Sequence, residues 1–185
     1  MTMQNLDKVS DLRDKLNNKN SGIKNVLTKS PGVYRWWFKE SCINNILSSL
    51  PLTTDEINKI QKDVINGETY YALYFGISKD MFGRAKWHIV QKHTQSSVNH
   101  GALSTLRQTL SALLNKDMSA AESCVNQFMD NNCYWEWEYD NNPKSKEIAE
   151  LTSKYVCYPL NIKENKTVNK DVLNGLKKLR KEYKK

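Results

Sequence analysis

The side chains able to work on a phosphodiester occur in this chain in a definite order. Gly32-Val33-Tyr34 comes first, and Tyr74-Phe75-Gly76 follows forty positions after Tyr34. Ser78 is next, and then Arg84 and His88, four apart. On a helix that spacing sets both on one face, one turn apart. Farther on stand Glu147 and Glu150, then Pro159-Leu160-Asn161. A carboxylate can hold a hard divalent cation such as Mg²⁺, which keeps most of its waters. Such an ion polarises a phosphate and stabilises a leaving oxygen. Arginine offers a fixed charged fork to a phosphate gaining charge, and tyrosine or histidine can take or relay a water's proton. Taken singly, each has a plainer reading: strand aromatics fill cores, and a lone Arg or helical Glu faces water.

The elements that must position these residues are readable in outline. Short helices are expected around Leu12 and Leu16 and near Ile23 to Leu27. Gly32–Phe38, aromatic and β-branched after Ser30-Pro31, reads as a strand. Thr53 and Glu56 make a capping-box pattern before Ile57, Ile60 and Val64, which recur at helical spacing. Asn66-Gly67 is a stop or turn. Tyr70–Ile77 reads as a second strand, antiparallel to the first. Helices are expected over Met81–Lys92 and Leu103–Leu114, and another behind the Ser119/Glu122 capping pattern. Tyr134–Tyr139 alternates as a third strand. Asn142-Pro143 opens a helix to about Tyr155. Lys170–Tyr183 reads as a last helix, apolar at Val172, Leu176, Leu179 and Tyr183 and basic elsewhere. The expectation is an α+β fold: a small, mostly antiparallel three-stranded sheet flanked by helices, with a helical insert between the first two strands.

The ordered set of Gly32-Val33-Tyr34, Tyr74-Phe75-Gly76, Ser78, Arg84, His88, a helical Glu and a late Asn resembles the GIY-YIG endonuclease superfamily, from about Ser30 to Asn165. The Arg84/His88 pair is similar to the branch containing restriction enzymes. The resemblance implies that Tyr34 activates the water, directly or as a tyrosinate. A free tyrosine has a pKa of about 10, so that role needs a helping base or a positive field. It further implies that Tyr74 contacts the scissile phosphate or orders the water. Arg84 would stabilise transition-state charge, and His88 would assist proton transfer or bind phosphate. Asn161 would anchor the loop beside one Mg²⁺ or Mn²⁺, with Gly32, Gly76 and Ser78 in support. For the metal carboxylate, spacing before Pro159 favours Glu150. Helix phase favours Glu147, which lies nearer the apolar arc of Ile148, Leu151 and Tyr155; Glu150 is preferred and Glu147 kept. Two departures from the family stand out. Val33 and Phe75 replace isoleucines at core positions, and an insert of about thirty residues (about 40–69) replaces a short hairpin. That insert could shape substrate access or a homodimer contact.

Composition bounds the rest. The 185 residues suit one domain: a polar extension at 1–29, a nuclease-like domain at 30–165 and a basic helix at 166–185. Hydrophobic residues at 39% suffice for a core, and no apolar run approaches a membrane span. Met1 to Asn20 shows no signal-peptide segment, so the cytoplasm is expected. Cys42, Cys124, Cys133 and Cys157 form no CxxC pair and read as buried free thiols. Of the net charge of +8, residues 162–185 supply nine Lys/Arg against three acids, or +6, leaving +2 elsewhere. Such a tail favours polyanions, DNA first and RNA second, with Lys177, Lys178, Arg180, Lys181 and also Arg107 as phosphate contacts. His93 and His100 read as surface, and Trp36, Trp37 and Trp87 as core unless one ring stacks on a base. The leading expectation is a metal-dependent endonuclease. A catalytically inactive nucleic-acid-binding module of the same fold comes second, and a protein-interaction domain third.

Overall fold

The computed structural model describes residues 3–185; residues 1 and 2 of the polar extension lie outside it. Chain order is β1 (Asn5–Lys8), α1 (Val9–Asn17), α2 (Ile23–Val26), β2 (Gly32–Lys39), α3 (Glu40–Leu47), α4 (Thr54–Asn58), β3 (Lys62–Ile65) and β4 (Glu68–Ser78). There follow α5 (Met81–Ile89), α6 (Gln95–Asn99), α7 (Thr105–Leu113), α8 (Glu122–Asn132), β5 (Cys133–Tyr139), α9 (Pro143–Leu151) and α10 (Lys170–Glu182). The strands form one antiparallel sheet in the order β1-β5-β2-β4-β3.

The α+β class and the antiparallel sheet agree with the sequence reading; the strand count does not, since the sheet has five strands rather than three. Both additions are edge strands. β1 is polar, Asn-Leu-Asp-Lys, so no apolar run marks it, and it pairs with β5 from within the presumed N-terminal extension. β3 comes from the insert. Helix α4 stops at Asn58 and Ile60 enters the core, while Val64 stands 67% exposed on the strand. The apparent helical spacing of Ile57, Ile60 and Val64 was therefore coincidental. Asn66 and Gly67 both have positive φ, 52° and 82°, the backbone an Asn-Gly turn supplies to a tight hairpin.

Alternation along β2 sends Tyr34, Trp36 and Phe38 into the larger core, against α1, α5, α7, α8 and α10. It sends Val33 and Trp37 to a second core with Phe75, Leu151 and Tyr158, on the α9 side. The register of β2 with β4 shifts between Trp36 and Trp37. The Thr53/Glu56 capping box forms with both of its bonds. The Ser119/Glu122 one does not: Ala121 precedes α8, and the Glu122 carboxylate accepts from the His93 N–H at 2.9 Å. Helix α9 ends at Leu151, short of Tyr155, which is 75% exposed. The insert is clasped to α10, because the Glu56 carboxylate accepts from the N–H and Nδ2 of Asn169, the α10 cap. All four cysteines carry free thiols. No helix of the described residues is long and apolar enough to cross a membrane.

Candidate active site

Tyr34 on β2 faces Gly76 on β4, and Trp36 faces Tyr74, so the two motif tyrosines are diagonal neighbours on one face of the sheet. Their ring centroids lie 6.3 Å apart. Gly76 serves this pair by having no side chain, since a Cβ there would overlap the Tyr34 hydroxyl. Gly32 lies at the start of β2, where a Cβ would overlap the carbonyl of Glu138.

Ser78 ends β4 and shapes the entry to α5. Its Oγ donates to the Asp80 carbonyl at 2.7 Å, and the Asp80 side chain caps α5 by accepting from Gly83 N–H at 2.8 Å. Arg84 and His88 then fall one turn apart, as their spacing requires, but they do different things. Arg84 lines the cleft with its guanidinium 4.6 Å over the Trp87 ring. His88 is fully buried behind Tyr34 and does not line the cleft. Its Nε2 lies 2.8 Å from the Tyr34 hydroxyl and its Nδ1 lies 2.7 Å from Ser104 Oγ, at the cap of α7.

Burial sets the charge states of this pair. It holds Tyr34 well above the usual tyrosine pKa, reinforced by Tyr74 and Glu147 and opposed by Arg84. It holds His88 well below the usual imidazole pKa, aided by Arg84 and Arg107. With Tyr34 protonated and His88 neutral, the tautomer that carries its proton on Nδ1 donates to Ser104 Oγ and accepts from the Tyr34 hydroxyl at Nε2.

The two glutamates of α9 part company. Glu147 lines the cleft with Tyr34, Tyr74 and Arg84, and Lys144 Nζ lies 2.8 Å from its carboxylate and 2.5 Å from that of Glu164. Glu150, the preferred residue on spacing, lies outside the cleft. It accepts from the Tyr158 hydroxyl at 2.7 Å and lies 3.7 Å from Arg35. Tyr34 and Arg35 are consecutive on a strand and point to opposite faces, so the residue that meets Arg35 is removed from Tyr34.

Asn161 makes a two-point bond to the β4 backbone. Its Oδ1 accepts from Phe75 N–H at 2.8 Å and its Nδ2 donates to the Phe75 carbonyl at 2.7 Å. That pins the following Ile162 and Lys163 at the cleft wall. The cleft, about 550 Å³, also takes Thr105, Thr109 and Arg180. Lys177, Lys178 and Lys181 are exposed on α10 and do not line it.

Arg107 is not a phosphate contact. It is completely buried, with donors spent on His93 Nε2 (2.7 Å), the His88 carbonyl (3.0 Å), the Ile89 carbonyl (3.2 Å) and Asn126 Oδ1 (2.6 Å). It caps the C-terminal end of α5, where a cation meets the negative end of the helix dipole. His93 is likewise buried rather than surface, wedged between Arg107 and the Met118 carbonyl. Lys144 and Lys163 were not anticipated. A lysine three residues before a helical glutamate was the available signal for the first. For the second, only the Asn161 anchor brings the loop to the cleft.

A search of curated proteins and of solved structures found no match. The family model described as the GIY-YIG catalytic domain matches residues 32–182, from the first residue of β2 to the last of α10, and so takes in every cleft-lining residue named above. Family match over most of the chain and paired tyrosines beside an arginine and a glutamate lead to the same place: the chain belongs to the GIY-YIG family.

Proposed function

We propose that the protein is a metal-dependent endonuclease hydrolysing phosphodiester bonds in DNA, with Glu147 holding the metal. The supporting observation is the convergence of Tyr34, Tyr74, Arg84 and Glu147 in one cleft, with Tyr34 backed by the buried His88. Among the described residues no group of three metal-ligating side chains occurs. A single carboxylate still suits Mg²⁺ or Mn²⁺, which retain waters and take further oxygens from substrate phosphate. When bound, the ion would polarise the phosphate and offset charge on the leaving oxygen.

The residues supply the rest. The Tyr34 oxygen accepts a proton from the attacking water while its own proton passes to His88 Nε2. The coupling avoids a free buried tyrosinate, which desolvation disfavours. Ser104 Oγ can accept the Nδ1–H of the imidazole, which leaves Nε2 as the accepting nitrogen. Arg84 meets the charge that grows on the phosphate, and Trp87 holds the guanidinium flat. Tyr74 orders the water or a phosphate oxygen. Lys144 must release Glu147 to the metal, and Glu164 is in place to keep the ammonium.

The test is cleavage of supercoiled plasmid, single-stranded DNA and RNA with Mg²⁺, Mn²⁺ or EDTA. The expected result is metal-dependent cutting, lowered at least about a hundredfold by Arg84→Ala and by Glu147→Gln. Glu150→Gln should retain most activity. Salt-sensitive binding without cleavage would overturn the enzyme reading in favour of a binding module. Inactivation by Glu150→Gln at unchanged melting temperature would overturn the choice of glutamate.

A further inference from the structure

Arg180 differs from every other basic residue of α10, because its guanidinium alone reaches the catalytic cleft. The helix is set by packing: Val172 and Leu176 are buried, and α10 lies against α7. Its N-terminal end is fastened through Asn169 to Glu56 and to the Pro51 carbonyl of the insert. One helical turn past Leu176, Arg180 therefore points along the same flank, between the core and the cleft.

The guanidinium is tethered but incompletely satisfied. Nη2 donates to Gln108 Oε1 on α7, the helix that carries Thr105 and is capped by Ser104. The Nε–H is shielded from solvent and has no hydrogen-bond partner among the described residues. Buried donors left without an acceptor cost free energy, so this one, beside the cleft, is a donor a bound anion could satisfy. Arg180 and Tyr74 line the same cleft; burial lowers the Arg180 pKa and Tyr74 opposes that. Arg84, by contrast, acts on Tyr34. Two guanidiniums from different helices thus line one cleft with the two motif tyrosines. Lys144 and Lys163 add positive charge to the same cleft, against the one carboxylate of Glu147 among its lining residues.

We infer that Arg180 is a substrate-positioning residue that binds the phosphate next to the scissile one, on the Tyr74 side of the cleft. The inference rests on the nuclease reading above. It deepens that reading by requiring a substrate with at least two successive phosphates. The strand then runs from Arg84 and Tyr34, where the bond breaks, to Tyr74 and Arg180. A single phosphodiester without a neighbour would occupy only the first position.

The experiment compares wild type and Arg180→Gln on two substrates, a DNA duplex and bis(p-nitrophenyl) phosphate, which carries one phosphodiester. In parallel, binding of a fluorescein-labelled duplex is followed by anisotropy in EDTA across a salt series. Expected for Arg180→Gln is a KM for DNA raised roughly tenfold to a hundredfold, the loss of one charged hydrogen bond. The slope of log K against log salt should fall by about one. Turnover of bis(p-nitrophenyl) phosphate should change by less than about threefold. Arg180→Lys should restore the salt slope and only part of the affinity, since it keeps charge but not the fork. Equal losses on both substrates would overturn the assignment, by placing Arg180 at the scissile phosphate or in the fold. An unchanged KM and salt slope would overturn it outright. If wild type cuts neither substrate, the nuclease reading fails by itself, and the salt series still decides whether Arg180 meets a phosphate.

Discussion

Tyr34 can lie across the face of β4 because its cross-strand partner is a glycine. Gly76→Ala places a methyl where the hydroxyl now sits. The tyrosine must then swing away from His88, and a displacement of about 1 Å in a catalytic group costs on the order of a hundredfold in rate. The expected outcome is that loss in plasmid cleavage, read together with a changed near-ultraviolet tyrosine signal and a retained far-ultraviolet spectrum. Arg107 behaves in the opposite way. Its acceptors are internal, so Arg107→Ala takes this donor from His93 Nε2 and the His88 carbonyl in a dry place, while Arg13 still donates to the Ile89 carbonyl and to Asn126. A loss of about 3–5 kcal/mol in urea unfolding is expected. In a fully folded sample, the salt slope of DNA binding should not change.

At the scale of elements, the insert between β2 and β4 acts as a strut. One residue, Glu56, both closes the α4 capping box and receives the cap of α10. Burial raises its pKa, but the N–H groups of Thr53 and Asn169 and the Thr53 and Asn169 side chains overcome that and hold it below the usual value. Glu56→Ala removes these acceptors together and is expected to cost about 2–4 kcal/mol. Hydrogen exchange should show where: amides near the start of α10 lose protection before those of β2 and β4. If protection falls evenly across the sheet, the insert does not act as a clasp on α10.

For the whole molecule, pH reports on buried histidine. The folded protein uses His93 in its neutral form, donating from Nδ1 to the Met118 carbonyl and accepting from Arg107 at Nε2. Burial and the neighbouring Arg107 charge push its pKa down to about 4, with the hydrogen bond to the Met118 carbonyl and the Glu122 charge opposing. An unfolded histidine titrates near 6.5, so between about pH 6.5 and pH 4 the unfolded chain binds a proton the folded one refuses. Stability therefore falls as pH drops through that window and levels off with respect to His93 below it; His88, held well below the usual imidazole range by burial, acts in the same direction. Melting temperatures taken across the window should show the decline, and His93→Gln should make it shallower. A slope unchanged by that substitution would remove His93 as a cause. The net charge of +8, gathered near the C-terminus, should make any DNA affinity fall steeply with salt.

Local chemistry was enough to find β2, β4 and β5, the turn at Asn66-Gly67, the entry to α9 and the order of Tyr34, Tyr74, Arg84 and His88. Strand runs, caps and i, i+4 spacings are short-range signals, and a chain carries them in its own order. The polar β1, and β3 whose Val64 fell into a helical spacing with Ile57 and Ile60, escaped because an edge strand is defined by the partner it pairs with, and its own residues need not alternate clearly. The same limit applied inside the site. Distance from Pro159 pointed to Glu150, but the strand face that each turn of α9 meets separates Glu147, toward Tyr34, from Glu150, toward Arg35. Arg107 and Arg180 are both arginines in amphipathic helices, alike by type and spacing. Only the packing of α7 against α5, α8 and α10 buries the first entirely and brings the second to the cleft, because burial is decided by what lies across from a residue in space.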